Sequence, residues 1–350
     1  MYPRLMIHLD KYRENLVKMI ELCDKNNIAL VPVTKVFCAE QPFIDVINQT
    51  SIEVIGDSRI LNLKSMQTTK KKMLLRLPML SEVSEVIQYC DMSLNSEWDV
   101  LVALNEEAKK QHKTHGFLLM IDLGDLREGL YYQALNDDFI KNLATLDHLH
   151  MLGIGTNLTC YGGVIPSKDV YHKLENVLKR CEEVSGQKMM IISGGNSSSV
   201  DMLIKGELPS YINQLRIGES IILGRETAYG TMIKGFFDDV MTLEVEIIEL
   251  KEKPSQPEGD IGMDAFGETH HFEDRGLILR ALGAVGRQDV AIAHLIPPKG
   301  IHLLGASSDH LVMEIVEGTY HVGDIITFKL TYGGILSLMT SRYVEKCYVR

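Results

Sequence analysis

The chain has 350 residues, 36 lysines and arginines against 47 aspartates and glutamates, a formal net charge of −11, and 45% hydrophobic residues. That balance excludes disordered, collagen-like and coiled-coil classes, leaves room for two domains, and argues against a nucleic-acid partner, since the only basic cluster is residues 70–72. No run approaches the roughly 20 apolar residues of a membrane span, and the N-terminus lacks the apolar core of a signal peptide, so the cytosol is the expected location.

In chain order, eight short β-rich runs fall at residues 28–36, 52–55, 73–77, 92–94, 117–123, 151–156, 189–192 and 215–217. Helix-period stretches lie between them at 80–89, 97–110 and 170–184, with Ser81, Ser96 and Ser167 as candidate caps. Strict alternation of strand and helix demands a parallel sheet, because each crossover must return the chain to the same direction. Eight such units in roughly 200 residues is the size of a (β/α)8 barrel, with an open doubly wound sheet as the alternative, since counting strands does not prove closure. After Tyr229 the texture changes to strand-like runs at 240–250, 277–285, 311–316 and 325–332, broken by Pro254, Pro257, Pro297, Pro298 and several glycines. The expected organisation is a TIM-like barrel over 1–230 followed by an all-β domain over 231–350. Residues 5–9 alternate and fit either domain, and residues 251–260 have a disordered composition.

Six cysteines (Cys23, Cys38, Cys90, Cys160, Cys181 and Cys347) include no C-x-x-C pair, which fits reduced thiols in a chain of this size. The twelve histidines show no H-E-x-x-H spacing, no metal site is expected, and the His270-His271 pair reads as surface loop.

In a barrel, chemistry gathers at the C-terminal ends of the strands. The first run ends in Val33-Thr34-Lys35. A lysine at the end of a buried parallel strand is costly unless it is paired, snorkels to solvent or is used covalently. The seventh run leads into Ser193-Gly194-Gly195-Asn196-Ser197-Ser198-Ser199, whose small residues let backbone N–H groups converge on an anion. The eighth ends in Arg216-Ile217-Gly218-Glu219-Ser220, where the glycine permits close backbone approach. Either loop alone reads as a tight turn. Opposite Lys35, the two together point to a phosphorylated cofactor held as a Schiff base.

With these residues the chain resembles the fold-type III pyridoxal-phosphate enzymes, and over its whole length the alanine racemase superfamily. The resemblance implies pyridoxal 5'-phosphate as cofactor and Lys35 as its covalent anchor. Asp122-Leu123-Gly124-Asp125-Leu126-Arg127-Glu128-Gly129 is similar to the family's Asp-x-Gly-x-x-Arg-x-Gly element, which implies that Arg127 touches the cofactor's phenolic oxygen. Gly195-Asn196-Ser197 resembles its phosphate step, and Arg216-Ile217-Gly218 its Arg-x-Gly element, with the arginine facing the pyridine nitrogen. Thr331-Tyr332 resembles the segment that closes over the phosphate, although its spacing to Thr340-Ser341-Arg342 differs. The implied cofactor-binding set is Lys35, Arg127, Asn157, Ser193, Asn196, Ser197, Arg216, Gly218, Glu219 and Tyr332.

Long strings, among them residues 156–163, 223–230, 262–267 and 305–310, resemble the ornithine racemase branch of that superfamily. The implied activity is inversion at the Cα of ornithine. Alanine, lysine or a broad amino-acid range are alternative substrates. Three positions depart from ordinary alanine racemases. Asn157 replaces a ring-stacking histidine, Met120 an often carbamylated lysine, and Met263 the catalytic tyrosine offered by the partner subunit. Lys35 is therefore implied as proton carrier on one face. Asp264, beside Met263, is the candidate on the other, with Cys160 and Tyr161 competing and turn-capping as the alternative role for Asp264. Asp309, together with Glu219 and Asp264, is the candidate contact for the substrate's distal ammonium. A basic amino-acid decarboxylase, with Glu219 as acidic partner of the ring nitrogen, is the alternative enzyme. A cofactor-binding protein without turnover is the alternative outside catalysis, and the large β domain speaks against it. The resemblance further implies a head-to-tail homodimer with composite sites.

Overall fold

The structure, a computed structural model, describes residues 1–269 and 271–349, so His270 lies outside the described residues. Two units emerge, one of residues 11–238 and one of residues 1–10 with 239–350. Strand β1 (Arg4–His8) belongs to the second of these.

The first unit carries β2 (Ala29–Pro32), β3 (Val54–Asp57), β4 (Lys71–Leu74), β5 (Met92–Asn95), β6 (His115–Asp122), a two-residue β7 (Leu130–Tyr131) beside it, β8 (Leu149–Gly155), β9 (Ile191–Ser193) and β10 (Gln214–Ile217). The eight-residue strand β6 is buried along its whole length, as a parallel sheet flanked by helices requires. The parallel order is β2-β10-β9-β8-β6-β5-β4-β3, and a bridge between Val33 and Gly56, with the Thr34 N–H donating to the Gly56 carbonyl at 2.9 Å, joins the two ends. That closure decides for the barrel over the open sheet. Val31, Met73, Met92, Leu94, Leu118 and Met120 form one cluster in its packed core.

Among the described residues, nine helices accompany the strands: α1 (Leu9–Lys25), α2 (Gln41–Asn48), α3 (Ile60–Ser65), α4 (Val83–Tyr89), α5 (Trp98–Lys110), α6 (Asp137–Leu143), α7 (Lys168–Ser185), α8 (Val200–Lys205) and α9 (Glu219–Leu223). Ser167 caps α7 as expected, accepting from the Val170 N–H at 3.3 Å. Ser96 does not cap α5, whose first cap position is Glu97. Ser81 lies inside a 3-10 turn, Leu80–Glu82, where the Glu82 carboxylate accepts the Met79 N–H and two bonds from Arg76. No helix among the described residues is long and apolar enough to cross a membrane.

The second unit is an antiparallel sheet of β11 (Met241–Pro254), β12 (Leu277–Gly283), β13 (Leu295–Ile296), β14 (Ile301–Ala306), β15 (Leu311–Ile315) and β16 (Ile325–Leu330), in the order β13-β16-β11-β12-β15-β14. β1 pairs antiparallel with β11 and parallel with β17 (Glu345–Val349), burying Leu5 and Ile7. This pairing places residues 5–8 in the second unit, Leu9 opens α1, and the two units divide at 238/239. Residues 231–238 bond back to the barrel: the Ile233 N–H donates to Gly224 and the Phe237 N–H to Asn15. Two expectations are corrected here. Residues 251–254 are not disordered but continue β11 in register with β12, and the strand expected over 325–332 stops at Leu330, Tyr332 opening α10 (Tyr332–Thr340).

Candidate active site

Lys35 follows β2 as the first residue of a 3-10 turn, Lys35–Phe37. The turn ends in two successive non-glycine residues with left-handed backbone, Cys38 (φ 53°) and Ala39 (φ 51°), a costly geometry that recurs at functional sites. It is held by the Cys38 N–H on the Lys35 carbonyl and the Ala39 N–H on the Thr34 carbonyl, both at 3.2 Å. On the other side of Lys35, the Thr34 hydroxyl is fully buried and donates to Asp57.

Two further loops meet at the same end of the barrel strands. Asp122, ending β6, accepts the Gly124 and Leu126 N–H groups and folds the following loop back on itself. The buried Asp125 then reaches across to accept N–H bonds from Cys160, Tyr161 and Val164 at 2.9–3.1 Å, tying the loop after β6 to the loop after β8. Gly162 allows that approach, since a Cβ there would stand 2.7 Å from the Asp125 carbonyl oxygen. Desolvation raises the Cys160 thiol above its ordinary pKa against the opposing pull of Arg127 and Lys35, which leaves it a poor proton acceptor near neutrality. Tyr161 is largely exposed.

Between the loops runs a chain of charged and amide groups. Arg127 pairs with Glu128, donating from Nη2 at 2.7 Å; Asn157 Nδ2 donates to the same carboxylate; and Asn157 Oδ1 accepts from Arg216 Nη2 at 2.7 Å. Arg216 is almost wholly buried in β10, and it also donates to Ser193 Oγ and to the Thr156 carbonyl. Burial pulls the guanidinium down to about 10, opposed by Glu128, so it remains charged at neutral pH. Gly155 leaves the space: a Cβ there would stand 3.6 Å from Arg216 Nη1 and 3.1 Å from Met120 Sδ.

The serine-rich segment after β9 forms a 3-10 turn, Ser197–Ser199. Asn196 caps it, accepting from the Ser198 N–H, and donates to the Leu158 carbonyl. The N–H groups of Gly218 and Ser220 both point to Ser197 Oγ, at 3.4 and 3.2 Å. Gly218 lies against β2, its virtual Cβ 3.0 Å from Val33 Cβ, which brings this cup next to the Lys35 turn. Among the described residues, the buried hydroxyls of Thr156 and Ser220 have no protein partner. Glu219, opening α9, pairs with Arg225 at 2.9 Å.

The barrel thus brings together Lys35, Arg127, Asn157, Ser193, Asn196, Ser197, Arg216, Gly218 and Glu219 at one set of strand ends. Sequence reading missed Glu128, Asp57 and Asp125, which are visible only once their partners are placed. Asp264, Asp309 and Tyr332 belong to the other unit. There Asp264 Oδ1 accepts the Phe266 and Glu268 N–H groups, and Arg287 bonds Glu268 at 3.0 Å while lying 4.2 Å over the Phe266 ring. Asp309 is exposed and bonds Ser307, Ser308 and His310, which lower its pKa. Thr331, just before Tyr332, bonds His294 at 2.8 Å.

The family model for the alanine racemase N-terminal domain matches residues 7–225. The chain belongs to the alanine racemase family. It is 45% identical to an ornithine racemase of Acetoanaerobium sticklandii over 99% of both chains, and 39% identical to a lysine racemase of Thermotoga maritima over 99% of this chain and 98% of that one. The alanine racemase of Bartonella henselae, solved with covalently bound pyridoxal phosphate, shares the fold across the full length of both chains (TM-score 0.76, 15% identity). Membership of the alanine racemase family accounts for the barrel and for the second, antiparallel unit.

Proposed function

We propose that this chain is a pyridoxal 5'-phosphate-dependent racemase that interconverts L- and D-ornithine. The full-length 45% identity to an ornithine racemase carries the reading. The site residues suit the cofactor: the unpartnered hydroxyls of Thr156 and Ser220 offer hydrogen bonds, the Gly218 and Ser220 N–H groups converge on Ser197, and Gly218 lets this cup pack against Val33, two residues before Lys35.

When bound, the cofactor supplies an electron sink that acidifies the Cα–H bond of an amino acid. Lys35 Nζ would anchor it and would carry the Cα proton on one face. Asp264 of a second copy carries the proton on the opposite face, and reversing the two roles runs the reaction the other way. Arg216, a cation at neutral pH, would face the ring nitrogen without giving up a proton to it, which would limit the sink and discourage side reactions. Arg127 and Asn157 would orient the ring; Ser193, Asn196, Ser197, Gly218 and Tyr332 would hold the cofactor's phosphate end; and Asp309, with Glu219, would take the substrate's distal ammonium. In this reading the chain acts in the cytoplasm as a head-to-tail homodimer, residues 231–350 of one copy completing the barrel site of the other.

The test is turnover of L-ornithine, L-lysine and L-alanine to their D-enantiomers by the cofactor-loaded protein, with released carbon dioxide measured in parallel. Ornithine is expected to give the highest kcat/KM. A preference for alanine overturns the substrate assignment, and carbon dioxide release overturns the reaction. Borohydride fixation followed by peptide mapping is expected to mark Lys35.

A further inference from the structure

Glu128 stands out because it joins groups that must otherwise repel. Arg127 and Arg216 are both cations, and the Glu128 carboxylate lies between them, bonded directly to Arg127 and through the Asn157 amide to Arg216. The amide orientation is forced, since a carboxylate only accepts and a guanidinium only donates, so Nδ2 must face Glu128 and Oδ1 must face Arg216. Glu128 is only 15% exposed, and the Cys160 thiol senses Glu128, Arg127, Asp125 and Lys35 together, which puts all of these charges around one space.

We infer that Glu128 is a positioning residue that, through Asn157, fixes the plane and the charge of the Arg216 guanidinium, and so sets how that cation meets the cofactor ring. The inference rests on the cofactor reading above. Glu128→Gln keeps a carbonyl acceptor for Asn157 Nδ2 but removes the negative charge and puts an N–H donor in place of the second carboxylate oxygen. The bond from Asn157 Nδ2 then loses its charge-assisted strength, so the Asn157 amide holds the Arg216 guanidinium less firmly, and two cations are left with no anion between them.

The experiment compares wild type with Glu128→Gln and Glu128→Asp, each loaded with pyridoxal 5'-phosphate. The readouts are the pH midpoint of the visible band of the Lys35-bound cofactor, the apparent cofactor Kd, and kcat and KM separately. Glu128→Gln is expected to lower the band's midpoint by about one pH unit, since a neighbouring negative charge favours the protonated form. It is also expected to lower kcat on the order of tenfold with a much smaller change in KM. Glu128→Asp, which keeps the charge, should restore most of the midpoint. A Glu128→Gln protein with wild-type midpoint and kcat overturns the inference while leaving the cofactor reading intact. A wild-type protein with no borohydride-sensitive band overturns the cofactor reading, and the inference with it. Loss of folding in Glu128→Gln alone, with Glu128→Asp folded but shifted in midpoint as far as a charge-free variant would be, also overturns it.

Discussion

Thr34 Oγ1 donates a 2.5 Å hydrogen bond to Asp57 Oδ2, so the residue before Lys35 is latched to the end of the neighbouring strand, β3. Asp57 is fully buried; its other oxygen accepts from the Arg59 N–H and Asn62 Nδ2 at 2.8 and 3.0 Å, yet burial still raises its pKa. The folded protein therefore retains a proton that the unfolded chain gives up near pH 3.9. Asp57's contribution to stability is full below that value, declines as pH rises toward the folded pKa, and is level above it. Asp57→Asn removes the titration, and the difference in Tm between wild type and variant should narrow as pH rises from about 3 to 7. A difference independent of pH contradicts this account.

Asp125 offers a sharper mechanical test. Its buried carboxylate takes three backbone N–H groups of the loop after β8, and bonds to charged groups are the stronger kind. Asp125→Ala leaves those three donors unsatisfied and is expected to cost about 3 kcal/mol or more, with loss of cofactor affinity, because Arg127 and Cys160 sit on the two loops it ties. Denaturant unfolding of the apoprotein gives the first quantity and cofactor titration the second. Wild-type values for both would show that the loops hold themselves.

Gly218→Ala tests the contact between the cup and the Lys35 turn. The added Cβ would stand 3.0 Å from Val33 Cβ and 3.1 Å from the Val33 carbonyl oxygen, and a backbone oxygen cannot rotate away. Overpacking of this kind costs about 1–3 kcal/mol. Cofactor Kd should rise more than the stability loss alone predicts, because β10 must shift away from β2. Equal Kd values in variant and wild type refute the close approach.

The barrel was readable from sequence because strands buried on both faces become continuous apolar runs bounded by polar loops, as in Phe117-Leu118-Leu119-Met120. Closure was not, because it rests on one bridge between Val33 and Gly56, residues whose types say nothing about pairing. Lys35, Asn196, Ser197 and Arg216 could be named because costly or small residues at strand ends carry a local signal. Glu128 and Asp57 could not, since an acidic residue in a loop or at a strand end reads as solvated until Asn157 and Thr34 are placed against it. α10 was hidden by Gly333 and Gly334, poor helix formers. The structure explains Gly333: any side chain there would meet the His294 ring at 2.5 Å. β14 was lost behind Pro297, Pro298 and Gly300, which mark the loop before it and drew attention from the strand itself.

His115 predicts the acid limit of the fold. It opens β6 in the barrel wall, buried, with Nε2 2.7 Å from Ser93 Oγ, and burial pushes its pKa down to about 4. Because the folded value lies below the unfolded one, the stability tied to neutral His115 is complete above about pH 6.5 and is lost as pH falls toward 4. The loss amounts to about 3 kcal/mol over that span. Equilibrium unfolding at pH 7 and pH 4.5 should show a fall in wild type that is smaller in His115→Asn. An identical fall in both would assign the acid sensitivity to other groups.

The second proton carrier can be separated from a turn cap by choosing the substitution. Asp264 Oδ1 accepts two N–H groups, a task that an asparagine carbonyl performs equally well, so Asp264→Asn keeps the turn and loses only the carboxylate. Arg287→Ala does the reverse: the carboxylate stays, while the clamp on Glu268 and Phe266 is released. If Asp264 carries a proton, Asp264→Asn should abolish solvent exchange of the Cα proton in one enantiomeric direction with near-normal KM. Arg287→Ala should instead raise KM and speed proteolytic cleavage near residues 264–268 while exchange continues in both directions. Exchange at the normal rate in both directions by Asp264→Asn would reduce Asp264 to its turn, and Cys160, with its raised thiol pKa, and Tyr161 would then be the next residues to substitute.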